Sequence, residues 1–273
     1  MKTLRNAVIA IFAGLILMIS CKKSDIALPK SEANIDSIAS KYYEGYLKMY
    51  PLEATMQGDS RYNDLLSNNI SSEFISKEIE FYTDTQKKLK SIDYDDLSDE
   101  QKTVYDVLDY TLKDKIERYA YHPELMPFSQ FEGLPLDFPL LGSAEGNQPF
   151  KTTKDYDNWL KRIDAFVIWM NTAEKNFREG MKQNVVLPKK LVVKMIPQMH
   201  SEEIITEDFD KNIFYGPIKK MPKNFSAKDK EKYKILYQEA ISSKIIPAYQ
   251  KMGDFLEKEY LPKARNTDGI NAI

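Results

Sequence analysis

Cysteine occurs once in the 273 residues, at Cys21, so no internal disulfide can brace this chain. Histidine occurs twice, at His122 and His200. Two imidazoles far apart in sequence, neither opening a His-Glu-x-x-His run, exclude the usual helix-borne zinc centre. His200 precedes Glu202 and Glu203, a mixed ligand set on paper, but no clean helical pattern aligns them, and they read as a solvated surface cluster. No Gly-x-Ser-x-Gly elbow is present and no thiol besides Cys21 exists, which removes the common nucleophilic triads. Glycine is scarce, 10 residues, and forms neither Gly-x-Gly-x-x-Gly nor a P-loop, so nothing cradles a phosphate. The formal charge of −2 comes from 39 basic and 41 acidic residues, a balance that supplies no field for nucleic acid. Carboxylate pairs such as Asp95 with Asp96 and Asp106 with Asp109 lie on polar faces, where nothing moves their pKa towards catalysis. From the residues alone, no catalytic residue and no metal ligand is assigned.

Long hydrophobic runs are missing too, with one exception. Residues 1–21, MKTLRNAVIAIFAGLILMISC, place Lys2 and Arg5 ahead of an apolar run from Ala7 to Ile19. That run is shorter than the roughly 20 residues a spanning helix needs, and its layout is that of an export signal over residues 1–20. Leu17 to Cys21 resembles the lipobox of bacterial lipoproteins, with Met18 at a position more often Leu. Cys21 is therefore expected to be the lipid attachment residue, which also accounts for a lone thiol in an exported protein. Several acyl chains would hold the mature chain stably at a membrane without inserting it. The predicted location is the cell envelope, with the domain in the periplasm or at the cell surface. Residues 21–31, polar and bearing Pro29, are expected to be a flexible tether, and residues 32–273 a helical domain.

What is present is helical periodicity and aromatic bulk, 17 Tyr and 13 Phe. Ser31–Tyr50 repeats Ile35, Ile38, Ala39, Tyr42, Tyr46 and Leu47 at three-and-four spacing and stops at Pro51. A second helix is predicted from near Ser72 to about Ser91. Ser98 with Gln101 forms a capping-box pair ahead of Val104, Leu108, Leu112, Ile116 and Tyr119. Thr152 with Asp155 does the same ahead of the clearest pattern, Tyr156, Trp159, Leu160, Ile163, Phe166, Val167, Met170, Ala173, Phe177 and Met181. A shorter helix is expected from Pro188, bent or ended by Pro197, and a last long one from Ser226, kinked at Pro247. Residues 201–225 look irregular. Between Tyr121 and Phe150 the periodicity is lost among five prolines and several aromatics, giving a long loop expected to wall a cleft. No alternation of period two is sustained, so the predicted fold is all-α, an array of about six to seven amphipathic helices with one long aromatic, Pro-rich loop.

Tyr50–Asp64, YPLEATMQGDSRYND, leaves a helix through Pro51 and Gly58 and places Asp59, Arg61 and Tyr62 together. Structurally this is a turn whose Asp and Arg pair or cap; functionally, Asp59, Arg61 and Tyr62 could contact an anion or peptide in a cleft, with the planar guanidinium as donor. The structural reading is preferred.

The same region, YEGYLKMYPLEATMQGDSRYND from Tyr43, resembles the amino-terminal signature of a bacterial family, domain of unknown function 885. Residues 149–188, with PFKTTKDYDNWLKRIDAF and REGMKQNVVLP, and the terminal PAYQKMGDFLEKEYLPKARNTDGINAI look similar to later parts of it. The resemblance implies a helical lipoprotein or secreted protein similar to zinc metallopeptidases, with a deep cleft between helical halves. It also implies that the zinc-binding His- and Glu-rich helices lie in a carboxy-terminal half not seen here. On that resemblance the chain is expected to be the cleft-forming amino-terminal half, without a cofactor of its own and inactive alone. Its partners would be the membrane, a peptide substrate and the other half. A noncatalytic surface lipoprotein binding peptide or glycan is the alternative.

Overall fold

The fold is seen in a computed structural model that describes residues 30–269. The predicted export signal and Cys21 lie outside the described residues, as does nearly all of the predicted tether. Among the described residues there is no strand, only an isolated parallel bridge between Pro188 and Arg265. Among the described residues, nine α-helices longer than one turn make up the body. They are α1 Lys30–Met49, α2 Pro51–Met56, α3 Ser72–Lys90, α4 Asp99–Glu117, α5 Leu134–Gly142, α6 Thr153–Gln183, α7 Lys189–Met199, α8 Ala227–Ala240 and α9 Ile246–Phe255. No described helix is long and apolar enough to cross a membrane.

The starts of these helices follow from their capping residues. Ser98 accepts from Gln101 N while the Gln101 side chain accepts from Ser98 N, and Thr152 and Asp155 make the same reciprocal pair, so both predicted capping boxes form. Ser71 and Ser226 cap α3 and α8 through Phe74 N and Asp229 N. At its far end α6 stops where Asn184 turns left-handed, φ 63°.

Two cores result. Helices α1, α3 and α4 pack together around Ile35, Tyr82, Leu89, Leu108 and Leu112. The larger core is built on α6, whose 31 residues span about 46 Å. Most of its predicted stripe is buried, with Leu160, Val167 and Met181 half-buried, and α5, α7, α8 and α9 close over it. Phe138 of α5 lies between Trp159 and Phe166, ring centroids 4.6 and 4.0 Å away. That approach requires glycine at 142, where a Cβ would sit 2.5 Å from Phe214 and 2.6 Å from Trp159.

One local expectation is corrected, and two are given their detail. The Tyr121–Phe150 stretch is not loop throughout: α5 occupies Leu134–Gly142 in spite of Pro135 and Pro139. Pro135 stands in the first turn, where no amide is needed. Pro139 deprives the Pro135 carbonyl of its helical donor, and the buried Tyr249 hydroxyl supplies one instead at 2.7 Å. In α7, Pro197 does not end the helix, which continues to Met199. The last long helix is divided by a π-helical turn, Ile241–Ile245, just before Pro247, so the lost backbone donor falls where the ladder has already shifted register.

Candidate functional site

A cleft opens where the junction of α1 and α2 faces the segment running from Tyr119 to α5. It has two lobes, of about 560 and 220 Å³, which share Tyr50, Glu53, Asn69, Ile70, Pro127 and Gly133. The larger lobe is in the range that accommodates small ligands and peptide segments. Gly133 opens α5 at φ 130°, a backbone conformation that suits glycine, and a Cβ there would collide with Phe128.

Beneath the larger lobe lies a buried polar cluster. Glu78 of α3 is almost wholly enclosed, yet its carboxylate receives three phenolic hydroxyls. Oε1 accepts from Tyr82 at 2.5 Å and from Tyr50, and Oε2 accepts from Tyr119. Burial first, and then the bond to Glu78, raises all three phenol pKa values well above the ordinary tyrosine range, so the protons stay on the hydroxyls. Tyr50 and Tyr119 also line the cleft, so one side of its wall is fixed by this cluster.

Ionisable groups on the cleft wall are mostly acidic. Glu53, Glu124, Glu132 and Asp137 stand against Lys115 and Arg118. Burial raises the Asp137 pKa above its ordinary value. Glu124 Oε1 lies 3.0 Å from His122 Nδ1, while its Oε2 is buried and has no hydrogen-bond partner. No imidazole lines either lobe. A catalytic zinc of the kind the family resemblance implies needs imidazole or carboxylate donors converging on one point, and the cleft residues do not provide that set. The described residues contain one group suited to a metal: His200, Asp254 and Glu257, with ligand atoms within 4.8 Å of one another.

The sequence-predicted contacts lie elsewhere. Arg61 forks onto Asp59, with Nη2 2.6 Å from Oδ2, and its Nη1 reaches Glu44 at 2.6 Å. Its guanidinium stands over the Tyr62 ring at 5.3 Å. Asp59 also caps the short turn Ser60–Tyr62 by accepting from Arg61 N, and the hydrogen bonds from Arg61 lower its pKa. Asp59, Arg61 and Tyr62 thus satisfy one another at the surface and are not among the residues lining the cleft. The same stretch contributes instead through Tyr50, Pro51, Leu52 and Glu53. Behind it, the fully buried Arg162 of α6 donates to the carbonyls of Pro51, Tyr62 and Leu65 and to Thr55 and Gln148. Desolvation lowers its pKa to about 10, which still leaves it charged at neutral pH. Arg162 therefore fastens the whole turn to α6. Sequence reasoning missed Glu78 and Arg162 because both interrupt apolar stripes; a lone charge inside such a stripe is the signal that would have found them.

Among solved structures, the fold is similar to "the putative lipoprotein from Colwellia psychrerythraea", with a TM-score of 0.66 at 18% identity over 89% of this chain. The chain spans 43% of that protein's length. No curated protein matches it. A family model described as bacterial protein of unknown function, DUF885, matches residues 51–272, and the chain belongs to that family.

Proposed function

We propose that this chain is the cleft-forming, amino-terminal portion of an exported, lipid-anchored, metallopeptidase-like protein, and that by itself it binds peptide without hydrolysing it. The observation that carries the reading is the cleft itself. Its wall combines tyrosine faces, held by Glu78, with Glu53, Glu124, Glu132 and Asp137, groups suited to the amide edges and basic side chains of an extended peptide. The similarity to a protein titled a lipoprotein and the lipobox-like run ending in Cys21 support the anchor. The share of that neighbour's length covered here supports the role of a portion within a longer architecture. Hydrolysis through zinc-activated water needs a metal held by several well-placed donors, and the cleft contributes no imidazole to one.

Two measurements test this reading. Palmitate labelling in bacteria should tag the wild-type chain and not Cys21→Ser; equal labelling of the two contradicts the anchor. Full chain in detergent micelles, given zinc and a mixture of fluorogenic peptides, should show saturable binding of basic peptides, weakened by Glu53→Gln with Asp137→Asn, and no turnover above blank. Zinc-dependent cleavage would sink the reading.

The absence of imidazole from the cleft equally favours a noncatalytic surface lipoprotein that binds peptide or glycan. Reading the gene past the codon for Ile273 separates the two. An open frame encoding a His-Glu zinc helix supports the peptidase architecture, and a stop followed by unrelated sequence supports the binding protein.

A further inference from the structure

We propose that His200, Asp254 and Glu257 form a binding site for a divalent cation of the zinc class, joining the end of α7 to the end of α9. The three come from separate places in the chain. His200 is the C-terminal cap of α7, Asp254 lies in the last turn of α9, and Glu257 belongs to the π-helical turn Leu256–Tyr260 that follows. The two carboxylates are i,i+3 neighbours and so share a face, and His200 reaches that face from across the helix pair. Gly253 lets it do so, because a Cβ at that position would collide with the imidazole ring. The neighbouring carboxylates Glu202 and Glu203, which sequence proximity suggests as partners, are exposed and outside the cluster.

The geometry is close to what a zinc ion requires. With bonds of about 2.1 Å, two ligand atoms of a tetrahedral zinc stand roughly 3.4 Å apart. His200 Nε2 and Asp254 Oδ1 are 3.8 Å apart, and all three ligand atoms fall within 4.8 Å of one another. Rotations of the exposed carboxylates close the remainder at little cost. Charge agrees as well: two carboxylates and a neutral imidazole match a dication. Lys258 Nζ lies 2.9 Å from Asp254, but an exposed, solvent-screened pair of this kind contributes little and yields readily to a metal. Among the described residues the Glu257 side chain takes part in no ion pair or hydrogen bond, while its backbone belongs to the π-helical turn. The imidazole nitrogen favours zinc, nickel or copper over magnesium or calcium, and three protein ligands leave one position for water or a fourth donor.

The inference stands whether or not the cleft binds peptide. Metal-stripped full chain in detergent micelles, titrated calorimetrically with zinc chloride, should bind one equivalent at micromolar concentration, with no competition from excess magnesium. His200→Ala and Glu257→Gln should each weaken binding by roughly tenfold or more, and His122→Ala should not. Cobalt in place of zinc should give the intense visible bands of a tetrahedral site in the wild type and lose them in His200→Ala. Circular dichroism is to be recorded for each variant to establish that it is folded. Failure to bind zinc below millimolar concentration overturns the proposal, as does undiminished affinity in folded His200→Ala together with folded Glu257→Gln.

Discussion

At Glu78, one carboxylate serves three phenols from different parts of the fold: Tyr50 between α1 and α2, Tyr82 one turn along α3, and Tyr119 in the turn after α4. Removing the acceptor strands three partly or wholly buried donors, and hydrogen bonds to a charged group contribute about 1.5–3 kcal/mol each before relaxation. Glu78→Leu should therefore cost about 3 kcal/mol or more in a urea titration, and Glu78→Gln less, because one amide oxygen remains to accept. A loss below about 1 kcal/mol for the leucine variant would mean that water reaches these phenols. The same tyrosines give a pH dependence of definite sign. Burial raises Tyr50, Tyr82 and Tyr119, and lifts Tyr260 to about 12. Below the unfolded tyrosine value of about 10 the phenols are neutral in both states and the stabilisation is complete. Between about 10 and 12 the unfolded chain ionises first, so stability falls as pH rises. Absorbance at 295 nm should show a late tyrosinate step that coincides with loss of the helical circular dichroism signal; a late step completed while that signal is intact would refute the assignment.

Elements were legible in the sequence wherever capping and periodicity agreed. Ser98 with Gln101 and Thr152 with Asp155 mark α4 and α6 because the reciprocal bonds are local and need no tertiary partner. Helix α5 was illegible because its stability is not local: Pro139 takes a donor away from the Pro135 carbonyl, and the replacement is Tyr249, 114 residues further along the chain. The cleft wall was half legible for the same reason. Its proline- and aromatic-rich segment stood out as a break in pattern, whereas Glu78, a charge inside an apolar stripe, could not be matched to phenolic partners 28 and 41 residues away. His200 likewise finds its carboxylates some fifty residues on, which no spacing rule anticipates. The dependence of α5 on Tyr249 can be checked directly. Tyr249→Phe keeps the ring and its packing but leaves a buried carbonyl without a donor, so it should cost about 1–3 kcal/mol. Hydrogen exchange in that variant should rise in α5 more than in α8. A stability equal to wild type would show that α5 satisfies its own backbone.

At the scale of the molecule the two cores are unequal: among the described residues, eight buried apolar side chains hold α1, α3 and α4 together, against thirty-two around α6. Apolar burial contributes about 25 cal/mol per Å², so the smaller bundle has far less to set against the entropy of ordering three long helices. Its attachment to the larger body runs through the segment 51–70, where Arg162 fastens the turn, Ile70 is buried in the larger core, and a few polar bonds follow. Asn68 donates to Thr172, Trp169 donates to Asn69, and Asn176 donates to the Ile70 carbonyl, each at 2.8 Å. The exposed face of α4, with Val107 and Tyr110 turned to solvent, adds nothing to that core. Local opening follows such differences in buried apolar contact. Amides in α3 and α4 should therefore exchange through a cheaper opening than those in α6 and α9, and this opening should swing Tyr50 and Tyr119 away from the cleft wall. A saturating basic peptide bound in the cleft should slow exchange in α3 and α4 and leave α6 unchanged, since only the smaller bundle is ordered by completing that wall. Uniform protection across both cores without peptide would show instead that the Glu78 cluster and the three asparagine-mediated bonds join them into one cooperative unit.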